Sequence, residues 1–266
     1  MTENGGIGIT VLGSGSRGNC TLVHCGNDAI MVDAGFSAKE TLRRMKLAGL
    51  ENMRIRAILV THEHADHVKG LRVCSEALDA PVFASMKCAQ MMRCKDDRLH
   101  QMATFAPGGQ FDIGSITVCP FSVPHDACDP VAFSFICGDS KFAIATDIGY
   151  ASSMVEYELQ DCNTIVLESN HDLNMLAASS RPWSLKQRIM GRQGHLSNDA
   201  SMQLLADVLS QRTRHVVLAH LSSECNREDL ARSSAEHCLE ALDRNDVTLD
   251  VASQDRPIAT VWLMPH

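Results

Sequence analysis

The stretch Ile55-Arg56-Ala57-Ile58-Leu59-Val60-Thr61-His62-Glu63-His64-Ala65-Asp66-His67 decides how this chain is read. Its first half is apolar and β-branched up to Val60, which predicts a buried strand over Ala57 to Val60. Its second half sets His62, His64, Asp66 and His67 at the mouth of that strand. Clustered imidazoles repel one another when protonated and are seldom buried without partners. A divalent ion resolves the crowding, because neutral imidazole nitrogen and carboxylate oxygen are the donors that zinc and similar ions prefer. One loop histidine would be read as solvated. The pattern His-x-His-x-Asp-His predicts a metal site.

Further candidate ligands follow apolar runs downstream. His125 lies in Val123-Pro124-His125-Asp126, Asp147 ends the run from Phe142, and His220 ends the run from Val216. With the first cluster they supply five histidines and two aspartates, enough for two ions. The expected partition gives His62, His64 and His125 to one ion and Asp66, His67 and His220 to the other, with Asp147 between them. A catalytic ion keeps an open position for water and substrate. Two ions roughly 3.5–4 Å apart share a hydroxide and clamp the attacking and leaving oxygens of a phosphoryl displacement. Asp66 is expected to orient that hydroxide as well as to ligate. Zinc, manganese and iron all suit such a donor set.

The bulk properties bound this reading. A length of 266 residues suits one large domain, or two small ones, with ample core, and 45% hydrophobic residues fit a globular chain. No apolar run is long enough to span a membrane. Met1 to Gly8 shows neither a basic nor an apolar export region, and the eleven cysteines contain no Cys-x-x-Cys pair. The expectation is a cytoplasmic protein with reduced thiols and no membrane partner. A net charge of −8 weighs against general affinity for nucleic acid, yet a local basic patch beside metal ions still handles a polyanion.

Strands are predicted over Ile7 to Leu12, Thr21 to His24 and Ala29 to Val32, then a helix capped by Ser37 running to about Ala48. After the histidine cluster come a helix from His67 to Leu78, a strand at Ala80 to Phe83, and a helix with a connection over residues 86–104. Ile113 to Phe121, Val131 to Ile136, Lys141 to Ala145, Ile165 to Leu167 and His215 to Ala219 read as strands. Helices over Asp199 to Leu209 and Arg227 to Leu242 precede strands at Thr248 to Ala252 and Ile258 to Leu263. No repeat or linker divides the chain. Consecutive early strands and later alternation with helices predict an α+β fold, two packed sheets with helices outside. Gly13-Ser14-Gly15-Ser16-Arg17-Gly18 matches a dinucleotide fingerprint, but a strand follows where the pyrophosphate would need a helix. A tight turn beside the site is the expected role.

The metal cluster with His125, Asp147 and His220 resembles the metallo-β-lactamase-fold hydrolases, over almost the whole chain from Gly13 to about Leu263. The stretches Gly13 to Leu22, Ala145 to Tyr150, Leu167 to Asp172, Gly194 to Asn198 and Leu218 to Ser222 are similar to the YycJ (WalJ) subgroup. The resemblance implies a four-layer αββα sandwich, a single domain over 1–266, and a site at the sheet edges. It also implies a 5′→3′ exonuclease acting on double-stranded DNA. In the nuclease branch an acid, a histidine and a final histidine follow the bridging Asp, and Glu168, His195 and His220 match that order. The catalytic set expected is therefore Asp66, His195 and Glu168. A histidine that does not ligate can protonate a leaving alkoxide, with Glu168 orienting it and raising its pKa. His171 and Asp172 are read either as residues supporting the ligands from behind or as the start of the next helix, the latter being preferred.

The segment from Leu173 to Asn198 holds Arg181, Trp183, Lys186, Arg188 and Arg192 and no acid, which suits a phosphate backbone and a stacked base. A solvated helix face explains it equally well. A β-lactamase is disfavoured because such enzymes are exported. A thiolester hydrolase shares the first cluster but does not need Glu168, His195 and His220. A small-molecule phosphodiesterase and an RNA-processing nuclease are the alternatives kept.

Overall fold

The computed structural model describes residues 6–96, 98–99 and 102–263. Positions 97, 100 and 101 of the connection expected after residue 86, and residues 1–5 of the N-terminal stretch, lie outside the described residues. The chain opens with strands β1 (Ile7–Gly13), β2 (Cys20–Cys25) and β3 (Asp28–Val32), then helix α1 (Ala38–Leu47). Ser37 caps α1 by accepting from the Glu40 N–H. Next come β4 (Arg54–Leu59), α2 (Ala65–Val68), α3 (Leu71–Leu78), β5 (Val82–Ser85), α4 (Met86–Lys95) and β6 (Met102–Phe105). The second half runs β7 (Phe111–Ile113), β8 (Ile116–Ser122), β9 (Val131–Cys137), β10 (Ser140–Ala145), α5 (Ser153–Leu159) and β11 (Thr164–Glu168). It continues with α6 (Leu173–Ala178), α7 (Trp183–Met190), α8 (Asn198–Val208), β12 (His215–Ala219), α9 (Glu228–Ala241), β13 (Thr248–Val251) and β14 (Val261–Leu263).

Among the described residues these strands form two sheets, ordered β14-β1-β2-β3-β4-β5-β6 and β13-β12-β11-β10-β9-β8-β7. The first sheet is antiparallel from β14 to β3 and parallel from β3 to β6. The second is antiparallel from β7 to β10 and parallel from β10 to β13. Both halves thus follow one plan, a meander that turns parallel, although the sequence carries no visible repeat. Side chains alternate across each strand, so Ile58 and Val60 pack outward under α1, α3 and α4 while Leu59 packs inward against the other sheet. Ile9, Val11, Ile30 and Val32 meet Phe133, Phe135, Phe142 and Val217 between the sheets. Leu167 and Leu218 pack outward with Leu205 of α8 and Leu239 of α9. This is the expected αββα sandwich, and burial on both faces explains why the central strands read as unbroken apolar runs.

Several elements depart from expectation. The helix predicted over His67 to Leu78 is broken into α2 and α3 at Gly70, where an added Cβ would sit 1.7 Å from the Phe36 carbonyl oxygen. The strand predicted over Ile113 to Phe121 is a hairpin turning at Gly114, whose φ of 62° is left-handed. The strand expected from Ile258 is paired only over Val261–Leu263. Strand β6 occupies part of the connection after α4, and α5, too short to show helical periodicity, was not expected. The glycine-rich Gly13–Gly18 stretch is a turn between β1 and β2, as its context required.

Candidate metal centre and active site

The histidine cluster is set by a short, heavily bonded loop after β4. Thr61 donates from its N–H and hydroxyl to the Asp33 carboxylate at 2.9 and 3.1 Å. The same carboxylate lies 2.7 Å from His67 Nδ1, which directs Nε2 of that ring towards the centre. His62 is held through Nδ1 by the Thr61 hydroxyl at 3.0 Å, and its Nε2 meets His64 Nδ1 at 3.0 Å. His64 precedes α2 as its N-cap residue, Asp66 and His67 lie on α2, and an added Cβ at Gly35 would strike the Asp66 carbonyl at 1.8 Å. The loop therefore needs glycine at Gly35 to pack this closely on the chain after β3.

The second sheet contributes single residues from separate strand ends. His125 follows β8 and is fixed by Nδ1 to the Gly194 carbonyl at 3.0 Å. Asp147 and His220 follow β10 and β12 with left-handed φ values of 59° and 57°. Asp147 Oδ2 is 3.2 Å from His67 Nε2, and its Oδ1 is 3.6 Å from both His125 Nε2 and His220 Nε2. Asp66 Oδ2 is 3.5 Å from both His67 Nε2 and His220 Nε2. One donor atom each from His62, His64 and His125 falls within 4.8 Å of the others, and the same holds for Asp66, His67 and His220. Those are the two groups expected, with Asp147 within reach of both.

The donor set passes a test for metal binding that does not depend on pattern. His125 Nε2, Asp147 Oδ2 and His220 Nε2 are buried and make no well-directed hydrogen bond among the described residues. Leaving such groups unpaired costs on the order of 1–3 kcal/mol each, so their convergence needs a partner. Burial holds the His62 and His125 imidazoles below their usual pKa, in the neutral form that coordinates. Burial also opposes protonation of His67 and His220. The carboxylates around them prevail, raising His67 well above its ordinary value and His220 to about 10. A divalent cation would take the place of those protons.

Glu168 is wholly buried at the end of β11, and its surroundings define its role. Its Oε1 lies 2.8 Å from His195 Nδ1 and 3.0 Å from His220 Nδ1, while Oε2 accepts from the N–H groups of Ile148 and Leu196. Burial alone would raise its pKa, but the facing imidazoles hold it down to about 2. The carboxylate is saturated by these four contacts and is not among the residues lining the cavity, an arrangement that holds the His195 and His220 rings in place. Burial would lower the pKa of His195, and Glu168 reverses that shift.

A profile of the β-lactamase superfamily domain matches residues 28–221. The chain belongs to the β-lactamase superfamily. Within the superfamily it is 39% identical over 237 residues to an exodeoxyribonuclease YycJ of Bacillus anthracis, covering 88% of this chain and 90% of that one. It is 33% identical over 231 residues to an exodeoxyribonuclease WalJ of Streptococcus pneumoniae, covering 85% and 86%. The metallo-β-lactamase fold protein YhfI from Bacillus subtilis superposes with a TM-score of 0.70 at 14% identity, over 95% of this chain and 99% of the other. These likenesses bear out the family and fold expected from the motifs.

The superfamily centre opens into a cavity of about 210 Å³ lined by His64, Asp66, His195, Arg181, Arg188 and Ser222 among others. A larger cavity of about 500 Å³ lies at the opposite ends of the strands beside Arg212 and Arg214, remote from this chemistry. Of the basic segment, Arg181 and Arg188 reach the site, paired with Glu224 and Asp126 respectively. Lys186 does not reach it. Its ammonium is buried and donates to the Ala177 and Ser179 carbonyls at 2.6 and 2.7 Å, closing the end of α6. Arg192 stacks 4.1 Å above the Tyr150 ring, and Trp183 is exposed at the start of α7. Asp172 caps α6, as expected, whereas His171 is buried and its backbone bridges to Ser197.

Sequence reasoning missed Asp33, Asn19 and Ser14. Asn19 donates to Asp66 Oδ2 at 3.3 Å and contacts His67 Nε2 at 3.1 Å, while the Ser14 hydroxyl accepts from the His220 N–H. The signal was present in part: the glycine-rich turn was placed beside the site. Its polar residues look like ordinary turn formers, and Asp33 closes the apolar run Ala29 to Val32 just as Asp147 closes its own, a signal that was there to be read.

Proposed function

We propose that this protein degrades double-stranded DNA from 5′ ends, using two divalent ions, zinc or manganese, with iron also suited to the donors. The protein is a metal-dependent hydrolase of phosphodiester bonds and a member of the group that contains YycJ and WalJ. The observation that carries the reading is the convergence of two three-residue donor groups with Asp147 between them, beside a histidine held by a buried carboxylate. Ions bound there would acidify water and offset charge on the phosphate.

The chain's own residues supply the rest. Glu168 fixes Nδ1 of His195, which leaves Nε2 as the nitrogen free to donate a proton to the departing oxygen or to bind a phosphate oxygen. Asp66, held by Asn19, orients the attacking water as well as ligating. Arg181 and Arg188 steer the strand into the cavity, exchanging their carboxylate partners for phosphate. We also infer that residues 1–266 act as one domain and that the protein works in the cytoplasm. All eleven cysteines are free, and no helix among the described residues is long and apolar enough to cross a membrane. A second reading, hydrolysis of small phosphodiesters, is favoured by the ion pairs that occupy both site arginines.

Incubation with 5′- and 3′-end-labelled duplex and single-stranded DNA and RNA, with Mn²⁺ or Zn²⁺ supplied, tests the proposal. Progressive release from the 5′ ends of duplex DNA is the expected result. Intact polymers together with hydrolysed bis(4-nitrophenyl) phosphate would replace it with the second reading.

A further inference from the structure

Beside the metal centre lies a second cavity of about 310 Å³, and His195 forms part of the wall of both. It is built from three of the stretches singled out in the sequence that the metal chemistry does not exhaust. Tyr150 follows the Asp147 turn, His171 follows Glu168, and Leu196 and Ser197 follow His195. Main-chain bonds tie these walls together. The Asn198 N–H donates to the His171 carbonyl at 2.8 Å and the Asn170 N–H to the Leu196 carbonyl at 3.0 Å. Gly149 packs so tightly that a Cβ there would lie 2.2 Å from the Arg192 carbonyl. The cavity is therefore preformed, and its volume falls at the lower end of ligand pockets, about 300–1,000 Å³.

The lining fits a flat, mostly apolar group with a few polar edge atoms. Leu173 and Met190 flank the cavity although 44% and 45% exposed, an apolar surface left open next to a charged centre. His171, 1% exposed, carries an Nδ1 that pairs with no described residue. Gln203 and Asp207 of α8 add polar edges. A group seated here would sit within one nucleotide of a phosphate at the metal donors, because His195 borders both spaces.

We propose that this cavity receives the base of a nucleotide adjoining the scissile phosphate, an inference that rests on the nuclease reading. The metal centre would then hold the phosphate, while this cavity distinguishes a polynucleotide from a phosphodiester that lacks a base. Binding would be tolerant of base identity, since apolar walls contact the faces that all bases share.

The test combines a substrate change with one substitution. Duplexes carry an abasic residue at either position flanking the terminal scissile phosphate. At the position that is seated, wild type should show a KM raised roughly tenfold or more, the effect of losing one stacked base. Ala200 lies on the cavity rim, exposed in the first turn of α8, so Ala200→Leu fills the space without disturbing the core. This variant should raise KM for ordinary duplex by a similar factor and remove the response to the abasic residue. It should leave hydrolysis of the duplex with the abasic residue at the seated position unchanged, because that substrate has no base to seat. With the ions removed by EDTA, the fluorescence of 2-aminopurine at the seated position should change on binding to wild type and not to the variant. Equal KM for abasic and intact duplexes with wild type would overturn the cavity assignment alone. Wild type that leaves DNA intact but hydrolyses the small ester would remove the nuclease reading and this assignment with it.

Discussion

The first sheet delivers His62, His64, Asp66 and His67 within six consecutive residues after β4, whereas the second delivers His125, Asp147 and His220 from three separate strand ends. In the first region the ligand spacing is local, while Asp33 and Gly35 from beyond β3 fix the loop through Thr61, His67 and Asp66. In the second the geometry is a matter of register. Ala145, Leu167 and Leu218 lie abreast on parallel β10, β11 and β12, so the residues just beyond them emerge together at one edge. Left-handed turns at Asp147 and His220 then aim both side chains inward. Parallel strands in register thus gather side chains distant in sequence at their carboxyl ends, where such sheets bind ligands. A compact motif and a dispersed one build a single centre by different means.

The largest effect expected is on the compact side. His64 makes no side-chain cap bond and is only partly buried, so His64→Ala should fold. It should lose one ion and at least about 10³-fold of hydrolysis, the several kcal/mol that a metal supplies to a charged transition state. Metal analysis and turnover on the purified variant check both, and two retained ions would break the assignment.

On the dispersed side, His195→Ala should keep both ions yet turn over ~10²–10⁴-fold more slowly, as loss of a proton donor predicts. Normal turnover would remove His195 from the chemistry. Asp33→Asn tests whether the loop's anchor matters more than the loop itself. It should weaken metal binding by about 10–100-fold, the usual effect of losing a carboxylate behind a ligating histidine. Competition with a chromogenic chelator measures it.

The smallest effect separates two neighbours on α7. Arg188→Ala should raise KM for DNA, since Arg188 lines the cavity. Lys186→Met should leave KM unchanged and instead lower stability by roughly 1–3 kcal/mol, because two carbonyls at the end of α6 lose their donor. Thermal unfolding beside DNA kinetics distinguishes them.

The compact region was legible because its meaning lies in spacing, and the strands because apolar runs flanked by polar turns report burial directly. Side chains of Asp147 and His220 could be nominated because each closes such a run. The breaks at Gly70 and Gly114 were hidden, since whether a glycine bends, caps or merely permits close packing depends on what approaches it. Lys186 was misplaced for a related reason. A cation in an acid-free segment looks free until the fold brings two carbonyls to it.

By itself the sequence determined the layered architecture, the donor types and the strand ends that carry them, because periodicity and ligand chemistry are local properties. Only tertiary structure decided that Asp33 anchors His67, that Glu168 serves two histidines at once, and which basic residues face the cavity. Those are distances between residues far apart along the chain, and they are set by strand register and sheet packing.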